Sequence, residues 1–246
     1  MSYFKKPKMV LFDVGGTLFN DDHSNPLIGF SKLRLYADNP EVTDNETLAN
    51  LWFEFHNDMD LPYTSKKGYG LEIPLSALLN YVIMNSGLHY SIPMAEIEEL
   101  YDRFNSPRSV FEGVPELLDT LHDLEIRTAV ISNNPMSGES LTLALKHWIP
   151  TSKFDFVMTS ADILYQKPAK ALFATAAKRA GLDPADCWYC GDNCIPDVDG
   201  PRSCGMTAVH FNRKTSVPFA MCTEGGREEY LAVNNWNSLR EHLLGL

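Results

Sequence analysis

Five residues of this chain are of types that can act together on a phosphorylated molecule. Asp13 lies in the apolar run 9–14, Ser132 ends the run 127–133, and Lys167 sits in the stretch 165–168. Asp192 closes the run 187–192, with Asp197 five residues on. A carboxylate such as Asp13 can attack phosphorus to give an aspartyl phosphate. The barrier to that step falls chiefly by positioning and by neutralising charge on the transferring group. Attack on a phosphate dianion therefore calls for cations close by. Asp13 and Asp192 suit magnesium, a hard cation that takes oxygen ligands and keeps several waters. The Lys167 ammonium and the Ser132 hydroxyl suit phosphate oxygens. Taken singly, Ser132 is ordinary turn chemistry and Lys167 an ordinary residue before the Pro168 that opens a helix. The set gains meaning because its members stand at equivalent ends of separate strands. Asp197, after Pro196, also suits the first turn of a helix, where the dipole favours an acid.

The elements that must hold these residues are legible as alternating patterns. Apolar or β-branched runs at 9–14, 127–133, 154–160, 187–192 and 206–211 read as strands, with a sixth around 229–233. Between them lie helical repeats: Val114, Leu117, Leu118 and Leu121, then Leu141, Ala144, Leu145 and Trp148, and a third helix opened by Pro168 and carrying Leu172, Ala176 and Ala180. Strand and helix in alternation predict a doubly wound, Rossmann-like parallel α/β sheet, with ligands at the carboxyl ends of its strands. From about residue 20 to 108 the alternation stops. Stripes at Leu48, Leu51, Trp52 and Phe55, at Leu75, Leu78, Leu79 and Val82, and at Ile97, Leu100, Tyr101 and Phe104 predict an all-helical insertion. The expected organisation is a core of residues 1–19 and 109–246 and a small helical domain of 20–108. Residues 212–228 read as a loop or hairpin, and Trp236, Leu239, Leu243 and Leu244 as a closing helix.

Composition removes several function classes. Thirty-two acidic against 21 basic residues give a net charge of -11, and no Lys/Arg-rich run supplies the footprint that nucleic acid requires. Lys5, Lys6 and Lys8 precede an apolar run, but Asp13 interrupts it far short of a signal core or a membrane span. Five cysteines, an odd number, argue against a disulfide framework and for a reducing, cytoplasmic setting. Cys187 and Cys190, three apart on one strand, face opposite sides and cannot clasp one zinc ion. No oligomeric state is read from the sequence.

The segments FDVGGTL at 12–18, VISNN at 130–134, QKP at 166–168 and YCGDNCIPD at 189–197 together resemble the four motifs of the haloacid dehalogenase superfamily, in order and across the whole chain. The resemblance implies a magnesium-dependent phosphohydrolase acting on a small phosphorylated substrate. By it, Asp13 is the nucleophile and Thr17 orients it. The Gly15 carbonyl and Asp192 complete the metal ligands, and Asp197 supports Asp192 or the metal's outer shell. Ser132 and Lys167 contact phosphate, with Gly16 and Asn133 beside them. The insertion becomes a helical cap that closes over substrate and excludes water.

One position departs from that pattern. Phosphatases of this superfamily place a second aspartate two residues after the nucleophile, to protonate the leaving oxygen and then activate water; here Gly15 stands there. Asp21, Asp22 or His23 are candidate substitutes, although three polar residues in a row also make a solvated turn. A phosphonate-cleaving enzyme dispenses with the acid but needs a cap lysine, for which Lys66 and Lys67 are the candidates. A halide-displacing dehalogenase attacks carbon without metal and has no use for Asp192. A catalytically idle ligand-binding relative is the remaining reading.

Overall fold

β1 (Met9–Phe12) is wholly buried and divides its side chains between two apolar layers, Val10 and Phe12 on one face, Met9 and Leu11 on the other. Burial on both faces is why its sequence is continuously apolar. The structure, a computed structural model, describes residues 5–21, 24–58, 70–223, 225 and 229–246. β1 lies between β4 (Arg127–Ser132) and β6 (Cys187–Gly191). The sheet continues to β5 (Val157–Thr159) on one side and to β7 (Thr207–Phe211), β9 (Tyr230–Val233) and β8 (Phe219–Cys222) on the other. Every pairing is parallel except that of β8 with β9. The six strands read from the sequence all form, and the loop or hairpin expected at 212–228 contains β8. The run 154–160 is shorter as a strand than its apolar character suggests, and at its end Asp162 accepts from Thr159 N at 2.9 Å as the short helix α7 (Ser160–Ile163) begins.

Helices α5 (Val114–Asp123), α6 (Gly138–Trp148) and α10 (Trp236–Leu244) pack their apolar stripes with Val10 and Phe12, and α8 (Lys170–Ala180) packs with Met9 and Leu11. A short turn of helix, α9 (Gly200–Arg202), leads to β7. Cys187 and Cys190 fall in opposite layers, as their spacing demanded.

Between β1 and β4 the chain leaves the sheet. Two short strands, β2 (Phe19–Asp21) and β3 (Arg108–Val110), pair antiparallel and bracket α1 (Pro26–Leu33), α2 (Asn45–Asp58), α3 (Leu75–Ser86) and α4 (Met94–Asn105). The stripes Leu48/Leu51, Leu75/Leu78/Leu79/Val82 and Ile97/Tyr101 are buried in a core continuous with that of the sheet. α1 has no counterpart among the predicted stripes. It is set by Pro26 in its first turn and by the Asn25 side chain, which accepts from Ile28 N at 3.2 Å, and it buries Phe30 and Leu33. α4 also buries acids, each with a partner. Glu99 meets Arg103 at 2.6 Å, Asp102 meets Arg108 at 2.7 Å, and Glu98 accepts from Ser137 N at 3.1 Å and from Ser137 Oγ at 2.6 Å. The last pair ties the helical layer to the start of α6. No described helix is long and apolar enough to cross a membrane.

Candidate active site

β4, β1 and β6 stand side by side, and the chain runs outward from β1 in one direction before returning to continue in the other. A crevice forms at the carboxyl ends of strands where the order reverses in this way. Asp13 is the first residue beyond β1, its N–H donating to Cys190 O at 2.9 Å. Ser132 is the last residue of β4 and is almost fully buried. Asp192 is the first residue beyond β6.

Lys167 comes from the loop before α8 and is buried among these ends. Its Nζ lies 2.9 Å from Asp13 Oδ1 and 2.7 Å from Asp197 Oδ1, and donates to the Tyr189 hydroxyl at 2.8 Å. All three ammonium protons thus go to protein acceptors. Burial opposes the charge on Lys167, but Asp13 and then Asp197 outweigh it and raise its pKa above the ordinary lysine value. The Tyr189 hydroxyl donates in turn to Ile131 O at 2.8 Å. Burial foremost, then Asp13 and Asp197, hold it protonated by raising its pKa.

Oxygens of Asp13, Asp192 and Asp197 lie within 4.8 Å of one another, the three-acid cluster found among the described residues. Asp197 is buried, because the chain at 194–199 winds as a widened, π-helical turn that carries the side chain inward. Its second oxygen accepts from Asn193 N at 2.9 Å, and burial pushes its pKa up to about 6. The sequence offered Asp197 as a support for Asp192 or the metal's outer shell, or as a helix-start acid; the structure groups it with Asp13 and Asp192 and also makes it a direct partner of Lys167. Asp192 keeps contact with solvent, yet the protein around its carboxyl, and then the charge of Asp13, raise its pKa. Gly16 brings its backbone against this carboxylate with φ +68°, and a Cβ there would overlap Asp192. Glycine is required on both counts.

Three carboxylates face one ammonium, leaving surplus negative charge that a divalent cation would relieve. Asp13, Asp192 and Asp197 are the acidic group whose spacing could hold such an ion. Asn133 does not reach into this space with its amide. It accepts from Lys167 N at 2.6 Å and donates to Lys167 O at 3.3 Å, so its side chain holds the lysine loop. Thr17 is fully buried, and its hydroxyl has no hydrogen-bond partner among the described residues. Its carbonyl accepts from Trp236 Nε1 at 3.0 Å, and the indole stacks on Phe211 at 4.3 Å. Asp22, His23, Lys66 and Lys67 lie outside the described residues, and of Asp21 only the backbone is described. Tyr189, though inside the segment 189–197, was given no role by the sequence; an aromatic inside a buried strand carries no signal that separates it from core.

The fold and its acid-rich strand ends are those of an α/β hydrolytic enzyme. The model of the haloacid dehalogenase-like hydrolase family matches residues 64–211, more than half of the chain, and the chain belongs to that family. It is similar to human haloacid dehalogenase-like hydrolase domain-containing protein 3, 34% identical over 44% of this chain and 43% of the relative. It is also similar to a phosphoglycolate phosphatase of Xylella fastidiosa, 31% identical over 40% of this chain and 42% of the relative. The chain thus spans less than half the length of these two relatives. Among solved structures, a 2-haloacid dehalogenase from Pseudomonas syringae pv. Tomato shares the fold with a TM-score of 0.57 and 21% identity, over 97% of this chain and 98% of that one.

Proposed function

We propose that the chain is a magnesium-dependent phosphohydrolase that acts on a small phosphorylated metabolite through an aspartyl phosphate on Asp13. The observation that carries this reading is the Asp192 carboxylate. It lies beside Asp13, in room that the missing Cβ of Gly16 leaves, and has no ion-pair partner among the described residues. Displacement of halide from carbon needs no such second carboxylate, whereas phosphoryl transfer needs neutralisation at that point. A magnesium ion held by Asp13, Asp192 and the Gly15 carbonyl would supply that neutralisation.

An oxygen of Asp13 attacks phosphorus as the ester P–O bond breaks, and the leaving oxygen takes a proton from solvent, because Gly15 has none to give. Water then attacks the phosphoryl group, returning Asp13 as carboxylate and releasing phosphate. Lys167 holds Asp13 in place and shares its charge with the incoming phosphate, and Ser132 and the Gly16 backbone border the same space. Residues 20–108 act as a cap that excludes water and selects the substrate. Five free cysteines support a reducing, cytoplasmic setting.

Magnesium-dependent hydrolysis of an aryl phosphate and an alkyl phosphate tests the reading. The expected result is a burst and slow steady state on the aryl ester, weak turnover of the alkyl ester, and no activity in Asp13→Asn. Metal-independent turnover, or activity that survives in Asp13→Asn, refutes it.

A further inference from the structure

One carboxylate of the helical layer, Glu72, bonds to residues beside both loops that carry Ser132 and Lys167. Residues 70–72 run antiparallel to 164–166, with Gln166 N donating to Gly70 O at 3.0 Å and Glu72 N to Leu164 O at 3.0 Å. A side chain at Gly70 would overlap the Gln166 amide, so glycine is what lets the two segments approach. From this seam Glu72 Oε2 accepts from Ser160 Oγ at 2.6 Å and from Gln166 Nε2 at 3.0 Å. Ser160 is fully buried and accepts in turn from Asn134 N at 2.9 Å. Gln166 directly precedes Lys167, and Asn134 follows Ser132 by two residues. The Asn133 amide closes the circuit by bonding the main chain of Lys167 on both sides. Ser132 and Lys167 thus sit on two loops that have the Glu72 carboxylate as a common brace, and that brace belongs to the inserted helical layer.

We propose that Glu72 is a positioning residue that couples the seating of the helical layer to the placement of Lys167 and Ser132. Glu72 touches no reacting atom and acts through Ser160 and Gln166. With the segment after Gly70 seated, the two loops are fixed; with it lifted, Gln166 and Ser160 lose their common acceptor and the loops relax. Small displacements of this kind lower turnover steeply, because the transferring group must meet its partners within fractions of an ångström. The proposal rests on the phosphohydrolase reading for its activity readout, but the coupling itself can be read without activity.

The test compares Glu72→Ala and Glu72→Gln with the unmodified chain. Measurements are kcat on an aryl phosphate with magnesium, affinity for inorganic phosphate by calorimetry, and hydrogen exchange at the Gln166 and Lys167 amides. Glutamine keeps an oxygen that can accept both bonds; alanine does not. The expected result for Glu72→Ala is a loss of about tenfold in kcat, weaker phosphate binding, and exchange at both amides faster by about tenfold. Glu72→Gln should stay within about threefold of the unmodified chain on each measure. Unchanged exchange and kcat in Glu72→Ala overturn the proposal. So does an equal loss in both variants with exchange unchanged, which would mark a charge effect, and so does a lowered melting temperature with kcat and exchange intact. Should the unmodified chain hydrolyse no phosphate ester, the functional reading fails, while the exchange rates still decide whether Glu72 holds the Lys167 loop.

Discussion

Replacing Lys167 by methionine keeps the length of the side chain and removes the ammonium that faces two buried carboxylates. At an effective dielectric constant of about 20, a unit pair 2.9 Å apart attracts by roughly 6 kcal/mol. The pair with Asp197 at 2.7 Å is slightly stronger. Much of this is offset by the desolvation of Lys167 and Asp197, each 1% exposed at the side chain, and of the less buried Asp13. Removing one partner of such a cluster leaves the desolvation without the attraction, and the expected loss is about 3–5 kcal/mol, a large part of the stability of an ordinary domain. The loss must depend on pH. Asp197 already has its pKa raised to about 6, chiefly by burial and against the pull of Lys167; without Lys167 it rises further. A carboxyl whose folded pKa lies above its unfolded value of 3.8 penalises folding when ionised, and that penalty fades as pH falls through the folded pKa toward 4. The gap between the two proteins should therefore be widest near pH 8 and narrow by pH 5. Urea denaturation at both pH values, without divalent cations, measures it. A gap under about 1 kcal/mol at pH 8, or one that widens on acidification, refutes this account of the cluster.

Gly15→Asp should restore the missing proton donor. General acid–base catalysis contributes about a hundred- to ten-thousand-fold, so turnover of an alkyl phosphate should rise at least tenfold in steady-state assays, and no rise would show that another group already serves. Gly16→Ala combines a left-handed φ, costing about 1–2 kcal/mol, with displacement of the Asp192 carboxylate. Calorimetric magnesium affinity should fall at least tenfold, and an unchanged affinity places the ion elsewhere. His242 in α10 stacks on Phe219 at 4.1 Å, and its Nε2 is buried with no hydrogen-bond partner among the described residues. Burial lowers its pKa below 6.5, so as pH falls from 6.5 the unfolded chain takes up a proton that the folded chain refuses, and stability is lost down to the folded pKa. Melting temperatures between pH 7.5 and 5 should fall less in His242→Phe than in the unmodified chain; parallel profiles would refute this.

The strand ends were the most legible part of the sequence, because burial on both faces of a parallel sheet makes each strand an unbroken apolar run and the first polar residue after it conspicuous. Asp13, Ser132 and Asp192 were found in this way. Lys167 was read from its place after the third strand, as one of a set, but its burial was not, since nothing local to a Lys-Pro pair tells that two acids lie against it. Asp197 was half understood. Its spacing after Asp192 fits a helix start, and only the widened turn at 194–199 brings it inward. β2 and β3 escaped notice because three residues are too few to display alternation, and each finds its partner roughly ninety positions away. Glu72 precedes α3 with no periodic neighbour, so its contact with Gln166 exists only in three dimensions.

The hydrogen bond from Trp236 to the Thr17 carbonyl joins positions 219 residues apart. During synthesis on the ribosome the loop that carries Asp13 emerges well before α10, and the Thr17 carbonyl has no Trp236 indole to rest against until that helix has followed. Assembly of this molecule is therefore retroactive: the turn beyond β1 is braced by a helix made more than two hundred residues later.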